Sequence, residues 1–216
     1  MVTKAKAPAR RLTARGAATR ARIVAAAASL VYERGFAGTS LDEVMAATGT
    51  SKSQLYHYFA DKDALIREVI KAQLGRIMAA QEAAGLRDVS SWENLQRWCD
   101  HFVSATQATD GAGGCPLGSL VGELADQSEP ARHVLAQCFA DWQSYLSEGL
   151  RAMRDNGDLA AQADPAELAL TIMSALQGGL LMAQTLRSAR PLELVLDMAL
   201  QHVASYRERP KPAGRR

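Results

Sequence analysis

Aromatic residues are scarce in this 216-residue chain, at 6% of the total, and no stretch alternates Val, Ile or Thr with polar residues as a half-buried strand does. A sheet-based fold therefore lacks its usual material. Cysteine is scarcer still. Cys99, Cys115 and Cys138 are odd in number and widely spaced, which suits a reducing compartment better than a disulfide framework. Long apolar runs are missing too: the longest, Ile23 to Val31, is nine residues and contains Ser29, against about 20 needed to cross a bilayer. The N-terminus "MVTKAKAPARRLTARGAATR" is basic but has no apolar segment or cleavage pattern behind it, so it does not read as a secretory signal. The expected location is the cytoplasm, with no membrane contact.

What is present is ordinary in bulk and uneven in placement. Hydrophobic residues make up 48% and charged residues 22%, as in soluble globular proteins. The net charge of +2 splits into 13 Lys+Arg against 6 Asp+Glu over residues 1–76, a net of +7, and 12 against 17 over residues 77–216, a net of −5. A basic front and an acidic rear point to a polyanion at one end. A solvated basic tail is the other reading, since seven of the front charges precede Ile23.

Proline marks helix starts. Pro116, Pro130, Pro165 and Pro191 each open a stretch of helix formers, where the missing N–H would have no partner anyway. "AAG" at 83–85 and "NGD" at 156–158 read as helix ends. The chain is thereby expected to be all-α, with about nine helices over 19–34, 41–47, 52–59, 62–84, 92–106, 116–126, 130–155, 165–188 and 191–206. Basic flexible tails are expected at 1–18 and 207–216, a head module at 19–62 and a larger helical domain at 63–206.

The head carries the informative pattern. Ser40 with Glu43, and Ser51 with Gln54, have capping-box spacing at the starts of two short helices. Gly49 stands between them where a sharp turn favours positive φ. Asp61 is placed to cap the next helix. Leu41, Val44 and Met45 share one face of the first short helix, and Leu55, Tyr58 and Phe59 one side of the second. Ser53 and His57 point the other way, flanked by Gln54 and Tyr56. Two helices across a glycine turn make a helix-turn-helix, and such outward side chains suit base edges and phosphates in a major groove. Lys52 and Lys62 bracket the helix with positive charge, and Lys62 also opens a helix whose N–H groups can receive a phosphate. Helical proteins with a merely wet polar face show the same spacing, so a helical small-molecule binding protein or enzyme without DNA activity is the alternative.

The stretch "TSLDEVMAATGTSKSQLYHYFADKDALIREVI" resembles the DNA-binding segment of TetR-type transcriptional regulators, and "LYHYFADKDAL" fits that family's pattern nearly position for position. The resemblance implies a three-helix DNA-binding head, a connecting helix, and a larger helical domain that dimerises and binds a small effector. It implies a homodimer on a near-palindromic double-stranded operator, acting as a repressor released by a small molecule. By position it implies phosphate contacts from Tyr56, His57 and Lys62, base readers among Lys52, Ser53, Gln54 and Tyr56, and a cap at Ser40 that also touches the backbone. Thr50 departs from the pattern, standing where the family usually has a small apolar residue.

The rear is less explicit. Residues 165–188 are apolar nearly all round, and Gly178–Gly179 in their middle point to close approach by another helix or a ligand. That helix and the last one carry more apolar surface than a monomer of this size easily buries, which points to homodimerisation through both. Trp98, Phe102, Phe139, Trp142, Tyr145, Met153 and Met173 are candidates for an effector pocket, with plain core as the competing reading. Cys115, before Pro116, sits where a helix dipole lowers a thiol pKa. That makes it either a redox or electrophile sensor, as in some regulators of the resembled family, or a small buried packing residue. His101, His133 and His202 have no metal-ligand or triad pattern, and "GSLVG" misplaces the serine of a nucleophile elbow. No catalytic residue, metal or cofactor is expected.

Overall fold

The computed structural model describes residues 12–208. Among these, nine α-helices occur: α1 (Ala14–Arg34), α2 (Leu41–Thr48), α3 (Lys52–Tyr58), α4 (Lys62–Ala83), α5 (Trp92–Gln107), α6 (Pro116–Leu124), α7 (Glu129–Asp155), α8 (Pro165–Leu186) and α9 (Arg190–Ala204). The sole extended pairing among the described residues is an isolated bridge between Leu159 and Arg207. The chain divides into two compact units, a head ending at Ala72 and a rear unit from Gln73 onward.

The head extends ten residues past the boundary expected at 62. The first half of α4 explains this: Leu65, Ile66, Val69 and Ile70 are all buried, alongside Ile23, Ala28 and Val31 of α1, Val44 of α2 and Leu55 and Phe59 at α3. Each of these side chains larger than Ala28 contributes about 1.5–3 kcal/mol when buried, so the head has a core of its own. The start of α1 also differs from expectation. It begins at Ala14, with the Thr13 hydroxyl accepting from the Gly16 N–H at 3.1 Å, inside the segment expected to be tail. Residues 1–11 lie outside the described residues.

In the rear unit, α8 packs with α7 and α9. A Cβ on Gly179 would lie 2.7 Å from Leu192 Cδ1 and 2.8 Å from Leu192 Cα, so only glycine lets α9 come this close. Gly178 faces open space. The helix is long and apolar enough to span a bilayer by length and composition alone, with a mean hydropathy of 1.4 over 18 residues. Leu168, Ile172, Leu176 and Leu180 are nevertheless buried within the fold. Residue 207, expected to lie in a C-terminal tail, is instead held in the fold: Ala160 N–H donates to the neighbouring Tyr206 carbonyl at 2.7 Å, and the Arg207 guanidinium lies 4.7 Å from the Trp92 ring centre. Residues 209–216 lie outside the described residues.

Candidate functional site

Two interlocked caps set the geometry of the head's short helices. Ser40 Oγ accepts from the Glu43 N–H at 3.2 Å, while Glu43 accepts from the Ser40 N–H at 2.9 Å. Ser51 Oγ accepts from Gln54 N–H at 3.2 Å, and Gln54 Oε1 accepts from Ser51 N–H at 3.1 Å. Between them Gly49 adopts φ 62°, ψ 27°, the left-handed conformation that ends α2 and turns the chain into α3. Asp61 caps α4, accepting from the Ala64 N–H at 2.6 Å. Each cap is worth about 1 kcal/mol. A seven-residue helix such as α3 would not persist without them and its packing.

That packing is one-sided. Leu55 is fully buried and Phe59 is 2% exposed, whereas Lys52, Ser53, Gln54, Tyr56 and His57 are exposed. Tyr56 keeps 46% of its surface in solvent. Lys52 makes no ion pair among the described residues. The residues of the expected outward face are thus all exposed on one helix.

Three expected contacts carry structural duties as well. Ser40 and Gln54 are committed to their caps, leaving the Gln54 Nε2 donors as its free hydrogen-bonding group. Lys62 departs furthest from expectation. It is half-buried, its Nζ donates to the Phe36 carbonyl at 2.7 Å, and the ammonium sits 4.0 Å from the Phe36 ring centre. It therefore ties α4 to the loop before α2, with its remaining N–H donors left for other partners.

The rear unit holds a cavity of about 640 Å³ between α6, α7 and α8. Of the seven residues expected to line a pocket, Phe139 and Met173 do so. The other five are placed elsewhere. Trp98, Trp142 and Met153 are fully buried core. Trp98 Nε1 donates to Gln81 Oε1 at 2.7 Å, and Phe102 lies between Trp98 and Trp142 at ring separations of 4.7 and 6.1 Å. The Tyr145 hydroxyl donates to the Leu86 carbonyl, and burial together with Asp88 pushes its pKa up to about 12. These are packing and tethering roles. The lining residues that sequence reasoning missed are mostly polar and small: Ser119, Gly122, Gln143, Ser174, Gln177 and Gln184 among them.

Cys115 also borders the cavity and is the N-cap of α6, its Sγ accepting from the Gly118 N–H at 3.3 Å. The cap position is the expected one, and of the two readings left open burial favours the packing residue. Burial pushes the thiol above the ordinary cysteine range, outweighing the Gly118 and Leu117 N–H groups that favour the thiolate. Gln177 pulls in the same direction as those N–H groups, yet its Nε2 is buried without a hydrogen bond of good geometry among the described residues. Burial works the same way on Cys99, which rises to about 12.

A capped two-helix unit, with a glycine turn and an exposed polar-aromatic face on its second helix, defines a helix-turn-helix DNA-binding protein; the rear unit adds a cavity of ligand size. Comparison with known proteins gives the family. Residues 23–69 match "Bacterial regulatory proteins, tetR family", and residues 91–199 match "Tetracyclin repressor-like, C-terminal domain". An uncharacterised HTH-type transcriptional regulator of the lacX 3' region of Lactococcus lactis is 33% identical over 182 residues, covering 83% of this chain and 90% of its own. A TetR transcriptional regulator from Chloroflexus aurantiacus has a similar crystal structure, with a TM-score of 0.73 at 25% identity over 90% of this chain and 98% of that one. The reduced form of Escherichia coli NemR gives 0.70 at 25% identity, covering 89% and 98%. The chain belongs to the TetR family of DNA-binding transcriptional regulators.

Proposed function

We propose that the protein is a homodimeric, ligand-responsive transcriptional repressor of the cytoplasm, without enzymatic activity, released from a near-palindromic operator when a small molecule enters the rear cavity. The observation that carries the DNA reading is the α3 face, where Lys52, Ser53, Tyr56 and His57 are exposed on a helix whose opposite side is buried. Ser53, Gln54 and Tyr56 suit base edges; Lys52, Tyr56, His57 and the spare donors of Lys62 suit phosphates. Repression rather than activation is favoured by a relative named as a repressor, NemR of Escherichia coli, 26% identical over 194 residues.

The dimer reading rests on α8 and α9. Met182, Leu186, Leu194 and Met198 are 46%, 58%, 50% and 64% exposed, a larger apolar display than two packed helices leave to solvent in a monomer. A two-fold dimer presents two recognition helices and so calls for a dyad in the DNA. Effector and operator oppose each other by linkage when the effector prefers the conformation that does not bind the operator: operator affinity then falls by the same factor by which the operator weakens effector binding.

The direct test is a mobility shift with the DNA flanking the protein's own gene, comparing wild type with Tyr56→Ala. Retardation by wild type and its loss in the variant, with unchanged circular dichroism, supports the reading. Equal retardation by both removes α3 from the interface.

A further inference from the structure

The cavity between α6, α7 and α8 is open on one side. Its α8 wall has an inner part, where Met173 and Leu180 are buried, and an outer part formed by Leu170, Ser174, Gly178 and Leu181. All four outer residues are exposed, Leu170 at 53% and Leu181 at 63%. They are cavity wall and outer surface of the helix at once. An apolar molecule resting on Met173 and Leu180 would therefore meet water along this edge.

The edge continues into the face on which the dimer reading rests. Leu170, Ser174, Gly178, Met182 and Leu186 follow one another at four-residue steps, a single ridge along α8. The first three line the cavity, the last two belong to the apolar display of α8 and α9, and all five are exposed. No charged residue stands between Glu167 and Arg187 to separate the two parts. At Gly178, in the middle of the ridge, an added Cβ would meet nothing within 4 Å, which leaves room there for a facing helix to come close.

We infer that a second copy of the chain closes this cavity, its α8 lying along the ridge and adding an apolar wall to the space that the effector fills. The inference rests on reading α8 and α9 as the pairing face and this cavity as the effector site. Binding and pairing are then coupled: a molecule touching both subunits tightens the dimer by the factor by which pairing tightens its own binding. Release from the operator proceeds in an intact dimer rather than by separation of the subunits.

Prodan, an uncharged fluorescent ketone, serves as the probe because no Asp, Glu, Lys, Arg or His lines the cavity to replace the water shell of an ion. Met198→Glu puts a charge on the exposed face of α9, outside the lining. The variant should sediment as a monomer where wild type is a dimer and keep its helical content. Its prodan affinity should fall about tenfold, the effect of returning roughly 60 Å² of apolar surface to water. In wild type, saturating prodan should lower the dimer dissociation constant. Undiminished prodan affinity in a folded, monomeric variant overturns the inference.

Cross-labelling decides the matter even if the dimer never separates or Met198→Glu fails to fold. A wild-type subunit is paired with a Gly122→Trp subunit, whose indole fills its own cavity from a position open to a side chain. Irradiation with benzophenone, an uncharged photoreactive ketone, should label the wild-type subunit and also α8 of the Gly122→Trp subunit, while a dimer of two Gly122→Trp subunits stays unlabelled. Label confined to the wild-type subunit defeats the inference and leaves both underlying readings in place. A protein that is monomeric throughout removes the dimer reading, and the absence of saturable prodan and benzophenone binding removes the cavity reading; either takes the inference with it.

Discussion

Lys62 Nζ donates to the Phe36 carbonyl at 2.7 Å while sitting 4.0 Å from the Phe36 ring centre, so a residue expected to serve DNA also holds the head together. Lys62→Met is expected to lower head stability by about 1 kcal/mol, the scale of a charge-assisted hydrogen bond discounted for partial exposure. It should also weaken operator binding and reduce the salt slope by about one phosphate equivalent. Tyr56→Ala should weaken operator binding with no change in melting temperature. Thermal melts and anisotropy titrations across salt concentrations check both. A Lys62→Met protein as stable as wild type would contradict the structural role.

Thr50 should be replaceable with profit. Its Oγ1 is buried and unpartnered among the described residues, in a side chain 5% exposed. Thr50→Val keeps the shape and removes the unsatisfied hydroxyl, so stability should rise by about 1 kcal/mol. Chemical denaturation with an unchanged m-value would register it. A loss of stability would mean the hydroxyl has a partner in solution.

Acid should loosen the head through two glutamates. Glu43 is held below the ordinary glutamate range first by the Ser40 N–H, then by the Ser40 hydroxyl, with Arg34 adding to both. For Glu68 burial opposes the charge, but Arg20 at 2.6 Å and Lys71 at 3.1 Å outweigh it. Both folded pKa values are depressed. Their stabilisation is therefore complete above the ordinary carboxylate range and lost as pH falls through the folded values. Melting temperature should be flat from neutrality to pH about 5 and decline below it. Glu68→Gln should make the decline shallower, and an identical pH profile for that variant would count against the ion pairs.

Native cysteine alkylation at pH 7 should be slow at all three positions, because Cys99, Cys115 and Cys138 are buried and the Cys99 and Cys115 thiols are pushed up by that burial. Modification should accelerate as pH rises or as denaturant is added. Rapid labelling of Cys115 at neutral pH would restore the sensor reading that its cap position invites.

Much of the head was legible in the sequence because its signals are local. The two capping boxes, Gly49 and the Asp61 cap each act within four residues, and each forms as read. The α1 start was missed because Thr13 faces Gly16 rather than an acidic or amide partner, so no box announces it. The structural tie made by Lys62 was not visible because its partner Phe36 is 26 residues away. In the rear, aromatic and Met residues drew attention to a pocket, but Trp98, Trp142 and Met153 are core. The available signal was different: Ser174, Gln177 and Gln184 are uncharged polar residues at helical spacing on a largely apolar helix, and all three line the cavity.

The account stands or falls on the α3 face of a two-fold dimer reading DNA. The most direct measurement is selection of bound duplexes from a random pool by the purified protein. The enriched sequences should form a near-palindrome with half-site centres one helical turn, about 34–36 Å, or a multiple apart. Two protomers should occupy each duplex, and Tyr56→Ala should retain no preference for it. Enrichment of no sequence, or of one without a dyad that Tyr56→Ala binds equally well, would contradict it.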